Sequence, residues 1–202
     1  MIRYAQMGMD FSPLRNMLAE NRVREAEDET RAKLIEMAGE NARKRKWVYF
    51  TEVRSIPSAD MRTVDLLWRH FSNGRFGYSV QRYLFVTSCK YQWTPFFRKI
   101  DWVYGENDTY RKWFPDEKSE FTYEVESAAD GHLPLTNALR GTQLLEAIFD
   151  HPAIVEGAEE VQHERSRRRP SIGRMPSTTA GSEDSTGGIG ERSTDIPGLG
   201  GI

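Results

Sequence analysis

A single cysteine, Cys89, among 202 residues excludes an internal disulfide and fits a reducing compartment. No excess of one charge is present, since 28 lysines and arginines stand against 30 aspartates and glutamates. That balance calls for no polyanionic partner, and no nucleic acid is expected. No apolar run approaches the roughly 20 residues needed to cross a bilayer. The opening "MIRYAQMGMDFSP" has neither the apolar core of a secretory signal nor the Arg/Ser bias of a transit peptide. The four histidines, His70, His132, His151 and His163, lack paired metal-ligand spacing. "NGRFG" matches no phosphate-cradling pattern. Cys89 has Lys90 beside it but no histidine nearby, and reads as a small buried residue rather than a nucleophile. No acid, base or metal constellation is visible.

Aromatic residues are also missing from one end. Every Trp, Tyr and Phe lies before Ala158, after which Ser, Gly, Pro and charge dominate. Such a segment cannot bury enough apolar surface to offset its ordering entropy. The expected organisation is a lead-in over 1–9, one domain over 10–156 and a disordered tail over 157–202, with no internal repeat.

Within the domain the helical period dominates. Ser12-Pro13, Ser58 and Thr94-Pro95 read as helix starts. Val23, Ala26, Thr30, Leu34 and Met37 recur every three or four residues, as do Met61, Val64, Leu67, Trp68 and Phe71. Asn73-Gly74 is a hairpin signal, but its flanks carry spacings of three and four, so it is expected to end a helix. Gly77 then lets the chain double back, and Ser79 is expected to cap the next helix. A last helix is expected to open at Pro134, carrying Leu135, Ala138, Leu139, Leu145 and Phe149. The fold class is all-α. The runs "EAEDE" (25–29) and "RKRK" (43–46) read as solvated, and "KWVYFTEVRSIP" (46–57) fits a short helix or an extended piece.

The stretch 103–131 is long, with only a strand-like "FTYEVE" inside it. It carries Tyr104, Tyr110, Trp113, Phe114, Phe121 and Tyr123. These aromatics fit either a packed core or the apolar wall of a pocket for a large flat ligand. Asn137, Arg140 and Gln143, spaced by three, fit either the polar groups of such a pocket or a solvated helix face.

"FSPLRNMLAENRVREAEDET", "WVYFTEV", "DLLWRHFSNGRFGYSVQ" and "GHLPLTNALRG" stand in an order and spacing that resemble the genomes-uncoupled four family of tetrapyrrole-binding regulators of magnesium chelatase. The resemblance runs from Asp10 to Pro152. It implies a cupped helical domain whose apolar palm binds protoporphyrin IX and Mg-protoporphyrin IX without itself being an enzyme. It further implies stimulation of magnesium chelatase in chlorophyll biosynthesis, the large porphyrin-binding (H) subunit of that enzyme as partner, a chloroplast location, and a part in plastid-to-nucleus signalling. Carried over by position, Phe50 and Val53 are palm residues and Trp113 closes over the ligand. Arg140 meets the propionates, Asn137 makes axial contact with porphyrin-bound magnesium, and Phe121, Leu135 and Gln143 complete the porphyrin-binding set. Gln143 departs from the family pattern, where an arginine often follows three residues after the "LRG" arginine; glutamine donates hydrogen bonds but brings no charge. The tail resembles plant and algal forms. Its "RRRPS" (167–171) reads as a basic phosphorylation site at Ser171, as soluble tail, or as a weak attachment to an anionic membrane surface. A competing reading makes the chain a helical interaction module whose aromatic loop packs on a partner without pigment.

Overall fold

The computed structural model describes residues 8–112, 119–136 and 142–168. Helix α1 (Ser12–Ala19) carries Pro13 in its first turn, where a missing N–H leaves no bond unmade, and buries Leu14 and Leu18. Helix α2 (Val23–Met37) turns Val23, Ala26, Glu27, Thr30 and Met37 inward. The short α3 (Glu40–Arg45) and the one-turn α4 (Phe50–Val53) follow. Helix α5 (Ser58–Phe71) buries Met61, Val64, Leu67 and Trp68 on one face. Helix α6 (Tyr78–Tyr83) continues into a π-helical turn over Leu84–Ser88, and α7 (Trp93–Lys99) comes next. Strands β1 (Val103–Tyr104) and β2 (Thr109–Tyr110) make a small antiparallel ribbon with Val103 opposite Tyr110. Helices α8 (Gln143–Phe149) and α9 (Pro152–Arg168) complete the described chain. Apart from that ribbon the regular secondary structure of the described residues is helical, as expected.

The core is continuous. Trp68 is fully buried and its indole N–H donates to the Thr30 hydroxyl at 2.9 Å, joining α5 to α2. An aromatic group of Phe85, Trp93, Phe96, Phe97 and Phe149 joins the π-helical turn, α7 and α8 through ring centroids 4.2–6.1 Å apart.

The helix starts differ from expectation. Phe11, Pro57, Gln92 and Gly77 occupy the capping positions, and none of them donates or accepts through a side chain there. At three helix starts a carboxylate takes a free backbone amide instead. The Asp10 carboxylate accepts from Ser12 N at 2.8 Å, Glu52 from Tyr49 N at 2.9 Å, and Asp65 of α5 from Ser79 N at 2.8 Å. A negative charge at a helix N-terminus is doubly favoured, by hydrogen bonding and by the helix dipole.

The Asn73-Gly74 pair ends α5 as expected. Both residues are left-handed (φ +54° and +79°), and Gly74 N donates to Arg69 O at 2.8 Å. The bend that follows grips the end of the long loop. The Arg75 guanidinium donates to the carbonyls of Val125, Glu126 and Ala128 and pairs with Asp130 at 3.0 Å. Gly77 N donates to Leu133 O at 3.0 Å. With its carbonyls taken by Arg75, and Thr122 N donating to His132 Nε2, "FTYEVE" forms no strand.

Two further expectations are corrected. Residues 134–136 are irregular, and Pro134 opens no helix there; the Gln81 amide takes the carbonyls of Gly131 and Pro134 at 2.9 and 2.8 Å, so those acceptors are not free for helical bonds. The expected domain end at 156 falls inside α9. Ala158 and Val161 are buried, Gly157 lies against Ser79, and Glu160 and Glu164 pair with Arg69 at 3.0 and 2.9 Å. The tail from 169, with Ser171, lies outside the described residues.

Candidate functional site

A cavity of about 500 Å³ opens between α2, the 46–50 link, α4, residues 135–136 and α8. Its floor is apolar: Val53, Ile56, Leu135 and Ile148 are all buried. Its rim carries Tyr49 and Phe50, which are 44% and 41% exposed. Polar groups at the lining are few, namely Arg31, Lys46, Thr136 and Gln143. An apolar concavity of this size with sparse polar groups is the usual form of a small-molecule site.

The rim is held from below. Arg45 pairs with Glu52 at 2.6 Å, and that same carboxylate receives Tyr49 N. The Arg45 guanidinium lies 4.4 Å from the Tyr49 ring, which packs on Trp47 at 4.1 Å. One ion pair thus orients two aromatic residues of the link, Trp47 and Tyr49. Lys46, at the end of α3, is left-handed with φ +62°. Glycine is the usual occupant of such a helix-ending position, and a side chain there costs about 1 kcal/mol.

The opposite wall hangs from the core. Glu27 is fully buried, and its carboxyl accepts Leu135 N at 2.9 Å. Beside it the hydroxyls of Tyr78 and Thr136 are buried without a hydrogen bond among the described residues. Burial pushes the Glu27 carboxyl up to about 8, with Asp28 adding to the rise, while the Leu135 amide and Arg31 oppose it. The unfolded carboxyl ionises near 4.5, so between about 4.5 and 8 the folded state keeps a proton that the unfolded state has released. That contribution to stability is full below the lower value and is lost as pH rises through the upper one. Glu27→Gln, neutral throughout, is expected to flatten this part of the curve when urea midpoints are compared at pH 5 and pH 8. A variant whose midpoint falls in parallel with the wild type would remove Glu27 as the cause.

The expected site residues separate into three sets. Phe50, Val53, Leu135 and Gln143 come together on the cavity, Gln143 at the first position of α8. Phe121 does not line it: its ring packs edge-on against Trp102 at 6.2 Å and beside His132 at 5.6 Å. Trp113, Asn137 and Arg140 lie outside the described residues. Lining residues not anticipated include Arg31, Lys46, Tyr49, Ile56 and Ile148.

Other reactive side chains are occupied structurally. His132 Nε2 accepts Thr122 N, so its Nδ1 carries the proton given to Ile100 O at 2.7 Å, and burial lowers its basicity. His151 accepts Ala153 N and donates to Ile56 O at 2.9 Å. Burial pushes the Cys89 thiol up, away from the reactive thiolate. Among the described residues no group of three His, Cys, Asp or Glu side chains is placed to hold a metal, and no helix is long and apolar enough to cross a membrane.

The GUN4-like family model matches residues 4–152. The chain is 43% identical over 167 residues to the chloroplastic tetrapyrrole-binding protein of Arabidopsis thaliana, covering 78% of this chain and 61% of that protein. It is 41% identical over 145 residues to a Ycf53-like protein of Synechocystis, covering 72% and 59%. The chain therefore spans about 60% of the length of these curated relatives. Among solved structures, GUN4 from Chlamydomonas reinhardtii superposes with a TM-score of 0.66 at 51% identity, over 75% of this chain and 93% of that one. The ligand-free structure of Arabidopsis GUN4 gives 0.63 at 43% identity, over 75% and 99%.

Proposed function

Because the chain belongs to the GUN4-like family, we propose that its cavity binds tetrapyrroles, specifically protoporphyrin IX and Mg-protoporphyrin IX. The observation that carries this reading is the apolar floor of Val53, Ile56, Leu135 and Ile148 beneath an exposed aromatic rim, with cations among the few polar lining groups. A flat, mostly apolar dicarboxylic ring suits that distribution. The name of the Arabidopsis relative supports it. Asn137 as an axial contact to bound magnesium, Arg140 as a propionate partner and Trp113 as a cover belong to the same reading. So do stimulation of magnesium chelatase through its H subunit, a non-catalytic regulatory role in chlorophyll biosynthesis, a plastid location and plastid-to-nucleus signalling.

Titration of the purified protein with protoporphyrin IX and its magnesium complex, followed by tryptophan quenching, is expected to show saturable one-to-one binding. Phe50 is exposed at the rim, so Phe50→Ala leaves the core intact and is expected to weaken affinity about tenfold, the worth of roughly one aromatic contact. Phe121→Ala, away from the cavity, is the control for affinity. Equal affinity in wild type and Phe50→Ala would move the site elsewhere. Absence of saturable binding would favour the partner-protein reading, to which the exposed Tyr104 and Tyr110 of the ribbon contribute.

A further inference from the structure

We propose that Lys46 is the carboxylate-recognising residue of the cavity, holding one acid group of an amphipathic ligand at the rim while the apolar body occupies the floor. The proposal rests on the tetrapyrrole reading and adds to it a residue that sets acid specificity.

The four basic residues of 43–46 have different fates. Arg43 donates to Glu36 O at 3.2 Å, Lys44 pairs with Glu40 at 2.7 Å, and Arg45 pairs with Glu52 at 2.6 Å. Lys46 alone of the four lines the cavity, and it has no ion pair or side-chain hydrogen bond among the described residues. Arg31, the other lining cation, is already paired with Asp28 at 2.5 Å. Lys46 is thus the lining cation whose charge is left for a ligand.

Its backbone gives a second, independent argument. The chain turns left-handed at this residue, with Lys46 N donating to Arg43 O at 3.3 Å and Trp47 N to Ala42 O at 3.3 Å. That turn would be easier with glycine. A long cationic side chain at a position that disfavours any side chain is explained by what the ammonium does. The residue is exposed at the rim of an apolar cavity, where its ammonium is free to make a charge-assisted hydrogen bond to a carboxylate. The departure at Gln143, which brings no charge to the same cavity, makes this cation the more consequential.

The test compares protoporphyrin IX with its dimethyl ester, in which both acids are neutralised and the ring is unchanged. Affinities are measured for the wild type, Lys46→Met, Lys46→Arg and Lys46→Gly in one detergent-containing buffer. The wild type is expected to prefer the diacid. Lys46→Met is expected to lose about tenfold for the diacid and nothing for the ester, the size of a hydrogen bond to a charged group. Lys46→Arg keeps the preference. Lys46→Gly loses it while raising the melting temperature by about 2–4 °C as the backbone relaxes. Equal losses for diacid and ester in Lys46→Met, or no loss for the diacid, would overturn the role of Lys46 while leaving the tetrapyrrole site standing. A fall in melting temperature for Lys46→Gly would show that the residue is structural and would overturn it too. If the wild type binds neither compound, the tetrapyrrole reading itself fails, and the assignment of Lys46 fails with it.

Discussion

Gly77→Val is expected to cost about 4 kcal/mol of stability and to lower the melting temperature by roughly 10 °C. Gly77 has φ +127° and ψ 153°, a region that residues with a side chain essentially do not occupy. Space is lacking as well. A Cβ would lie 2.9 Å from Asp65 Oδ1 and 3.1 Å from Arg69 Cγ. Those two atoms cannot move without consequence, since Asp65 is buried and accepts Ser79 N, while Arg69 reaches across to α9. The offending atom is Cβ itself, so Gly77→Ala is expected to be nearly as damaging as Gly77→Val. Thermal melts followed by circular dichroism make the comparison. An alanine variant melting with the wild type would mean that neither the clash nor the dihedral matters.

Ending the chain after Glu156, where composition alone places the edge of the domain, is expected to remove about 5 kcal/mol, a fall of roughly 10–20 °C in melting temperature. Three losses coincide. The buried Val161 and Ala158 leave α5 and α6, with Val161 alone worth roughly 2 kcal/mol of apolar burial. Glu160 and Glu164 desert Arg69, whose side chain is only 8% exposed and is left with Asp65 at 3.9 Å. Arg165 releases Asp130 at the foot of the long loop. A chain ending at Arg168 keeps all of these contacts and is expected to melt with the full-length protein. If the shorter chain melts with it too, α9 is a passenger on the fold.

The helical character of the chain was legible because the apolar spacing in α2 and α5 is regular and each helix buries one face. What escaped was decided by residues distant in sequence. Ser79 looked like its own helix cap, but the acceptor is Asp65 from the preceding helix. Glu27 lies in an acidic run that reads as solvated, although Val23, Ala26 and Thr30 define a buried face that includes it; helical phase, rather than the run of charge, carried the answer. Helix α9 has few large apolar residues beyond Ile154, Val155 and Val161, and the burial of its small and charged ones depends on partners in α5 and α6. For the cavity, Phe50, Val53 and Leu135 are expectations from family resemblance, whereas Gln143 also follows from its spacing of three with Arg140. Lys46 was hidden in "RKRK", since nothing in four consecutive bases tells which three have acceptors nearby. The aromatic loop suggested a ligand wall, yet Phe121 is absorbed by Trp102 and His132.

The segment 131–136 has no regular secondary structure, yet its backbone is bonded to fixed interior groups. Gln81 takes two of its carbonyls, the Trp102 indole donates to the His132 carbonyl, Gly77 N donates to the Leu133 carbonyl, and Glu27 accepts the Leu135 amide. A loop restrained in this way has little conformational freedom left to lose. On the proposed tetrapyrrole reading, ligand capture at this wall would be limited by encounter and by displacement of water, and the entropy lost on ordering would fall on the exposed side chains of Tyr49, Phe50 and Lys46 across the opening. Selectivity among ring compounds would accordingly be expressed mainly in dissociation rates, through how well those three side chains settle on a given substituent.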